Sequence, residues 1–154
     1  MRPLYIFDLD GTLALIDHRR PILKDTSLTL DQRWRKFFAA CVDDVPNRAV
    51  LETMWLLRRD SDTWIWSGRS DEVKTETLDW LSEVLHFSDV DAYPLRMRPA
   101  GNIRPDVELK MQWLAEMPPG DRERLVAVFD DRSSVVQAWR GAGITCFQVA
   151  DGNF

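Results

Sequence analysis

Asp8 and Asp10 stand two residues apart where the apolar run Leu4-Tyr5-Ile6-Phe7 ends, and Gly11 and Thr12 follow directly. On an extended chain residues i and i+2 leave the same face, so the two carboxylates point together while Leu9 points away. Acids this close repel and raise one another's pKa unless a cation balances them. An oxygen-only site suits Mg²⁺, which takes one or two carboxylates together with water and substrate phosphate. Gly11 allows a tight turn, and Thr12 adds a hydroxyl and a backbone donor. The plainer alternative is an Asx-rich turn after a strand. Other groups bear on the choice. Ser67-Gly68-Arg69 combines a small hydroxyl, a flexible glycine and an arginine, a plausible anion site. Asp130-Asp131-Arg132 again places acids behind an apolar run. Lys110, one of four lysines, lies near the start of an apolar helical stretch, where lysines mostly reach to solvent. Arg96, Arg98 and Arg104 suit either a phosphate or a solvated loop.

Each group needs an element to position it. Residues 4–7, 63–66 and 125–129 read as buried strands, with further strands expected at 91–95 and 144–149. Helical spacing appears at 30–42, where Asp31 is the expected cap and Trp34, Phe37, Phe38 and Cys41 form a stripe read as packing rather than base stacking. It recurs from Pro46 onward, with Val50, Met54 and Leu57 in register, and at 71–85, with Ser70 as cap. It returns at 106–117, with Val107, Met111 and Leu114 inward, and around Val135, Val136 and Trp139. Residues 13–29 read as a loop, with His18, Arg19, Arg20 and Lys24 as solvated surface. Strands alternating with helices predict an α/β fold, a three-layer, Rossmann-like, mostly parallel sheet. In that architecture the carboxyl ends of the strands share one edge, so Asp8, Asp10, Ser67 and Asp130 converge there. Residues 1–154 then form a single domain, with about 14–60 as a small, mainly helical cap insertion.

Composition narrows the function. A chain of 154 residues with 45% hydrophobic and 29% charged residues is of a size and kind that builds one core. The formal net charge of −5 argues against extended duplex binding, though not against a local pocket for one phosphate. Cys41 and Cys146 show no zinc spacing and no disulfide framework, which suits a reducing, cytoplasmic setting. No signal peptide and no membrane span are expected.

The order DxDGT, Ser, Lys, DD, each behind an expected element of the sheet, resembles the haloacid dehalogenase (HAD) superfamily of phosphotransferases over almost the whole chain. Receiver domains also use acids, a hydroxyl, a lysine and Mg²⁺, but in a different order. The resemblance implies a HAD-like fold and assigns roles residue by residue. Asp8 is the nucleophile that forms an aspartyl-phosphate, and Asp10 is the acid that protonates the leaving alcohol and then activates water. Ser67 and Lys110 hold the phosphoryl oxygens. Mg²⁺ lies among Asp8, Asp10 through its backbone carbonyl, Asp130 and the adjoining Asp131. An acid at the Asp10 position favours a phosphatase over a dehalogenase. A narrower similarity joins Asp8 to Ala14, Ser67-Gly68-Arg69 and Phe129-Asp130-Asp131-Arg132-Ser133 to polynucleotide 3′-phosphatases, such as the phosphatase domain of bacteriophage polynucleotide kinase. The pairs Val135-Val136, Trp139-Arg140 and Gln148-Val149 extend it. No GxxxxGK[ST] loop is present, so the kinase half is absent from this sequence. The resemblance implies a nucleic acid end or a phosphorylated small molecule as substrate. Thr12, Gly68, Arg69, Arg98, Arg104 and Arg132 are the candidate phosphate binders. A nucleoside monophosphate or metabolite phosphatase, or a non-catalytic nucleotide binder on the same scaffold, is the alternative.

Overall fold

In the computed structural model the chain is described over residues 1–85 and 94–154. In chain order the elements are β1 (Leu4–Phe7), β2 (Ala14–Leu15), α1 (Leu30–Ala39), β3 (Val45–Pro46), α2 (Arg48–Leu57), β4 (Asp62–Ser70), α3 (Lys74–Leu85), β5 (Leu95–Arg98), α4 (Asp106–Ala115), α5 (Pro119–Arg124), β6 (Leu125–Asp130), α6 (Ser133–Gly141) and β7 (Cys146–Gln148). Five strands form a parallel sheet in the order β5-β4-β1-β6-β7. β1 is the central strand: Phe7 lies beside Ile65 of β4 on one side and Phe129 of β6 on the other. A strand paired on both edges and covered on both faces must be apolar throughout, which is why Leu4 to Phe7 carries no alternation.

Side chains of β1 divide between two cores. Leu4 and Ile6 pack with Leu109 and Trp113 of α4 and with Val135, Val136 and Trp139 of α6. Phe7 packs on the other face with Val50, Leu51 and Met54 of α2 and with Trp80 and Leu81 of α3. This is the three-layer α/β arrangement expected from the sequence. Trp139 has no exposed surface, and removing such a ring costs on the order of 3–5 kcal/mol.

Several boundaries differ from expectation. β4 does not stop at Trp66 but runs on to Ser70, with a bulge against β5 between Ser67 and Ser70. The bulge re-aims the Ser-Gly-Arg segment, an ordinary device next to binding sites. The strand expected at 91–95 is described only from Leu95 onward, and 91–93 lie outside the described residues. α1 is capped by Thr29 rather than Asp31: the Gln32 N–H donates to the Thr29 hydroxyl (3.2 Å) and the Thr29 N–H to the Gln32 side chain (2.9 Å), a reciprocal box. Residues 13–29 are not all loop, since β2 pairs antiparallel with β3 and Arg20–Lys24 forms a 3₁₀ turn. That pairing joins segments about thirty residues apart, so no local pattern announces it.

Candidate active site

Asp8, Asp130 and Lys110 meet at the carboxyl end of β1 and β6. Lys110 Nζ donates to Asp8 Oδ1 and to Asp130 Oδ2, each at 2.7 Å, and is 3% exposed. The helical stripe misled here: α4 lies with Leu109, Lys110, Trp113 and Leu114 buried, so the lysine enters the site instead of reaching solvent. Among the described residues Asp8, Asp130 and Asp131 form a buried cluster whose carboxylate oxygens lie within 4.8 Å of one another. Three acids share one ammonium. Burial, with Asp130 and Asp131 nearby, lifts Asp8 well above the usual carboxylate range. Burial and Asp130 push Asp131 up to about 6. Burial acts against the Lys110 charge, but Asp130 and Asp8 outweigh it and keep the lysine protonated. Asp131 Oδ2 is buried with no hydrogen-bond partner among the described residues. An uncompensated, all-oxygen donor set with an orphaned carboxylate oxygen fits a hard divalent cation.

Asp10 is not in that cluster. Its Oδ1 accepts from Arg19 Nη2 (2.7 Å), Arg69 Nε (3.1 Å) and Arg69 Nη2. Asp44 closes the ring from the other side, accepting from Arg19 Nε (2.7 Å) and from Nη2 of both arginines (2.8 Å each). Arg19 and Arg69 are wholly buried. Burial would raise the Asp10 pKa, yet Arg69 and Arg19 prevail and hold it below the usual range. The ring fixes the carboxylate while leaving one edge of it in the cleft. Arg69 thus has its donors committed to Asp10, Asp44 and the Thr77 hydroxyl, and it acts on Asp10 rather than standing free. Arg19 corrects the reading of 18–20 as solvated surface. Sequence spacing gave no sign that Arg19 pairs with Asp44, because one stands just before a 3₁₀ turn and the other just before β3, with nothing local to link them.

Backbone geometry explains the glycines. Gly11 has φ +84°, and a Cβ there would overlap the Asp131 carboxylate. A Cβ on Gly68 would overlap the Asp106 carboxylate. Asp106, at the start of α4, pairs with Arg98 Nη2 and with Arg132 Nη1 (2.8 Å). Arg98 also donates to the carbonyls of Gly68 (2.7 Å), Asn102 (3.2 Å) and Arg104 (2.6 Å), which ties β5 to β4 and α4. Arg104 is exposed and reaches Gln112 (2.6 Å). Ser67 and Thr12 are fully buried, Ser67 Oγ accepting from the Arg69 N–H (3.1 Å). A cleft of about 850 Å³ joins Asp8, Asp10, Lys110, Asp130 and Asp131 to Gly68, Arg69, Arg98, Arg104 and Arg132. The candidate residues therefore converge on one cavity, with Ser67 and Thr12 behind its wall.

A parallel sheet with acids at the ends of two adjacent central strands and a lysine between them defines a HAD-like phosphatase. The fold is shared with CbbY from Rhodobacter sphaeroides, solved with phosphate, at a TM-score of 0.58 and 17% identity over 100% of this chain and 88% of that one. A model of the polynucleotide kinase PNKP phosphatase domain matches residues 2–154, and the chain belongs to that family. It is similar to a protein of Autographa californica nuclear polyhedrosis virus described as a bifunctional polynucleotide kinase/RNA ligase, 31% identical over 143 residues, 92% of this chain and 18% of that one. It also matches a chain of the Pnkp1/Rnl/Hen1 RNA repair complex with a TM-score of 0.79 and 26% identity, over 99% of this chain and 44% of the other. The chain thus spans less than half the length of either relative. No helix among the described residues is long and apolar enough to cross a membrane.

Proposed function

We propose that this phosphatase is a Mg²⁺-dependent phosphomonoesterase that removes 3′-phosphates from nucleic acid ends through an aspartyl-phosphate. The observation that carries the reading is the separation of two acids by environment. Asp8 sits among carboxylates beside Lys110, and Asp10 sits two residues on in a cage of arginines. Asp8, Asp130 and Asp131 would hold Mg²⁺, with the Asp10 carbonyl as the further donor implied by the family, and the cation would neutralise the acids and the phosphoryl oxygens. Asp8 Oδ attacks phosphorus while the bond to the leaving oxygen breaks, and that oxygen takes the proton carried by Asp10. Asp10, a carboxylate again, then takes a proton from water, which attacks phosphorus and releases Asp8. The arginines favour the carboxylate form of Asp10, the form that takes the proton from water in the second step, and the proton gained there is the one delivered to the leaving oxygen of the next substrate. Lys110 stays charged and steadies both acids and phosphate.

Arg104 and Arg132 line the cleft and offer guanidinium groups to a phosphate, while Arg98, tied to Gly68, Asn102, Arg104 and Asp106, shapes the wall together with Thr12, Ser67, Gly68 and Arg69. Within residues 14–60, α2 packs against the sheet and α1 borders the cleft, so α1 is the part that serves as cap. Two free, buried cysteines suit a reducing, cytoplasmic setting. The test is phosphate release, with Mg²⁺ and with EDTA, from an oligonucleotide with a 3′-phosphate, its 5′-phosphorylated counterpart and nucleoside monophosphates. The 3′-phosphorylated end should be preferred, and both EDTA and Asp8→Asn should abolish turnover. Turnover of monophosphates alone would move the function to nucleotide metabolism.

A further inference from the structure

We propose that the outer face of α1 is a nucleobase platform, on which the base beside the substrate phosphate stacks; this rests on the nucleic acid end reading above. Leu30, Trp34 and Phe38 recur at i, i+4 and i+8, so they share one face of α1. All three border the same cleft as Asp8, Asp10 and Arg98. An apolar helix face normally buries itself in the core. This one does not: Leu30 is 67% exposed and Trp34 40% exposed. Phe37 is the buried ring of the helix, lying under the Arg19 guanidinium at 4.3 Å from its ring centroid, and it too borders the cleft.

The exposed ring is also held in place. Trp34 stacks on Phe38, with centroids 5.6 Å apart and planes 28° from parallel, and meets Phe37 edge-on at 5.6 Å and 86°. Phe38 in turn packs against the small cluster of Cys41, Val73 and Met97. A ring supported on two sides and bare on a third loses little freedom when a flat ligand covers it. The reciprocal cap at Thr29 and Gln32 anchors the first turn of the same helix. Ile103, 95% exposed, borders the cleft as a second apolar group, so a base has aliphatic surface to meet besides the indole.

The rim has charge complementary to a strand. Lys24, Arg35 and Arg104 border the same cleft, with Asp31, which pairs with Arg35 (3.1 Å), and Glu72 also on its rim, and cations beside an aromatic surface are the usual grip on a single-stranded backbone and its bases. Every base has a π face, so this platform favours a nucleotide over a small aliphatic phosphate without reading sequence. Of the stripe read as packing, Trp34, Phe37, Phe38 and Cys41, the last is in a core cluster and Phe37 is buried, while Trp34 is exposed at the cleft beside Leu30 with Phe38 half-buried against it.

The experiment uses the whole chain with Mg²⁺ and three substrates: a 3′-phosphorylated oligonucleotide, the same strand with an abasic terminal residue bearing the 3′-phosphate, and glycerol phosphate. For the unaltered protein, kcat/KM on the ordinary end should exceed that on the abasic end by roughly tenfold or more, the range that stacking on an aromatic ring supplies. Trp34→Ala should lower kcat/KM on the ordinary end by about tenfold, mainly through KM, and largely erase the difference between the two strands. Trp34→Phe should restore most of it. Equal rates on ordinary and abasic ends in the unaltered protein would overturn the platform while leaving the phosphatase reading standing. An equal fall on all three substrates in Trp34→Ala, not restored by Phe, would also overturn it, because only a structural role predicts that. Turnover of glycerol phosphate with none of either strand would instead remove the nucleic acid reading on which the platform rests.

Discussion

Replacing Asp131 by Asn should make the metal-free protein more stable, although it removes a charged group from the heart of the site. The reasoning starts from the acid cluster. Asp131 is 2% exposed, lies against Gly11, and has one oxygen without a partner. Burial and Asp130 move its carboxyl from 3.8 to about 6. Each unit is worth 1.36 kcal/mol, so holding the charged form in the fold costs about 3 kcal/mol at neutral pH. Between about pH 4 and pH 6 the folded carboxyl keeps a proton that the unfolded chain has already lost. Stability without metal therefore falls as pH rises through that window and levels off above it. Asp8, raised for the same reason, deepens the slope. Thermal unfolding in EDTA is the assay. At pH 7.5 Asp131→Asn should melt roughly 6–12 °C above the unaltered protein, from about 2–4 °C per kcal/mol for a chain of this size. At pH 3.5, below both values, the gap should nearly close. Added Mg²⁺ should reverse the order, because a cation that binds only the fold stabilises the protein that binds it better. A variant that melts below the unaltered protein at pH 7.5 in EDTA would refute the account, since it would mean the carboxylate is already compensated.

Other perturbations follow from the arginine ring and the glycine contacts. Arg19→Met leaves Asp10 and Asp44 with one guanidinium between them and should cost about 3–5 kcal/mol in urea unfolding, as expected when one member of a buried ion network is removed. A loss below 1 kcal/mol would show that the ring carries little of the fold. Gly68→Ala should lower kcat/KM by about tenfold or more with little change in Mg²⁺ affinity. Its Cβ displaces Asp106, and with it Arg98 and Arg132, none of which is among the three carboxylates that would hold the ion. Unchanged kinetics would exclude Asp106 and its two arginines from positioning the phosphate.

Much of the site was legible in the chain. The apolar runs at 4–7 and 125–129 announce strands buried on both faces, and the acids behind them stand out because a buried strand has no other use for them. The parallel sheet follows from alternating strands and helices, and with it the convergence of Asp8, Asp10 and Asp130 on one edge. These features depend on local pattern and on a general rule of connection, so sequence alone determines them. The three-dimensional arrangement decided the rest. Lys110 enters the site because α4 turns Leu109, Lys110, Trp113 and Leu114 inward, a rotation set by packing against β1 and α6 rather than by its own weak periodicity. Arg19 and Asp44 join Asp10 because β2 and β3 pair across about thirty residues, bringing two unremarkable segments against Arg69. Which face of α1 is core and which is cleft was likewise settled by what lies opposite it. Spacing along the chain fixes which side chains share a face, but only contacts between distant segments fix what that face meets.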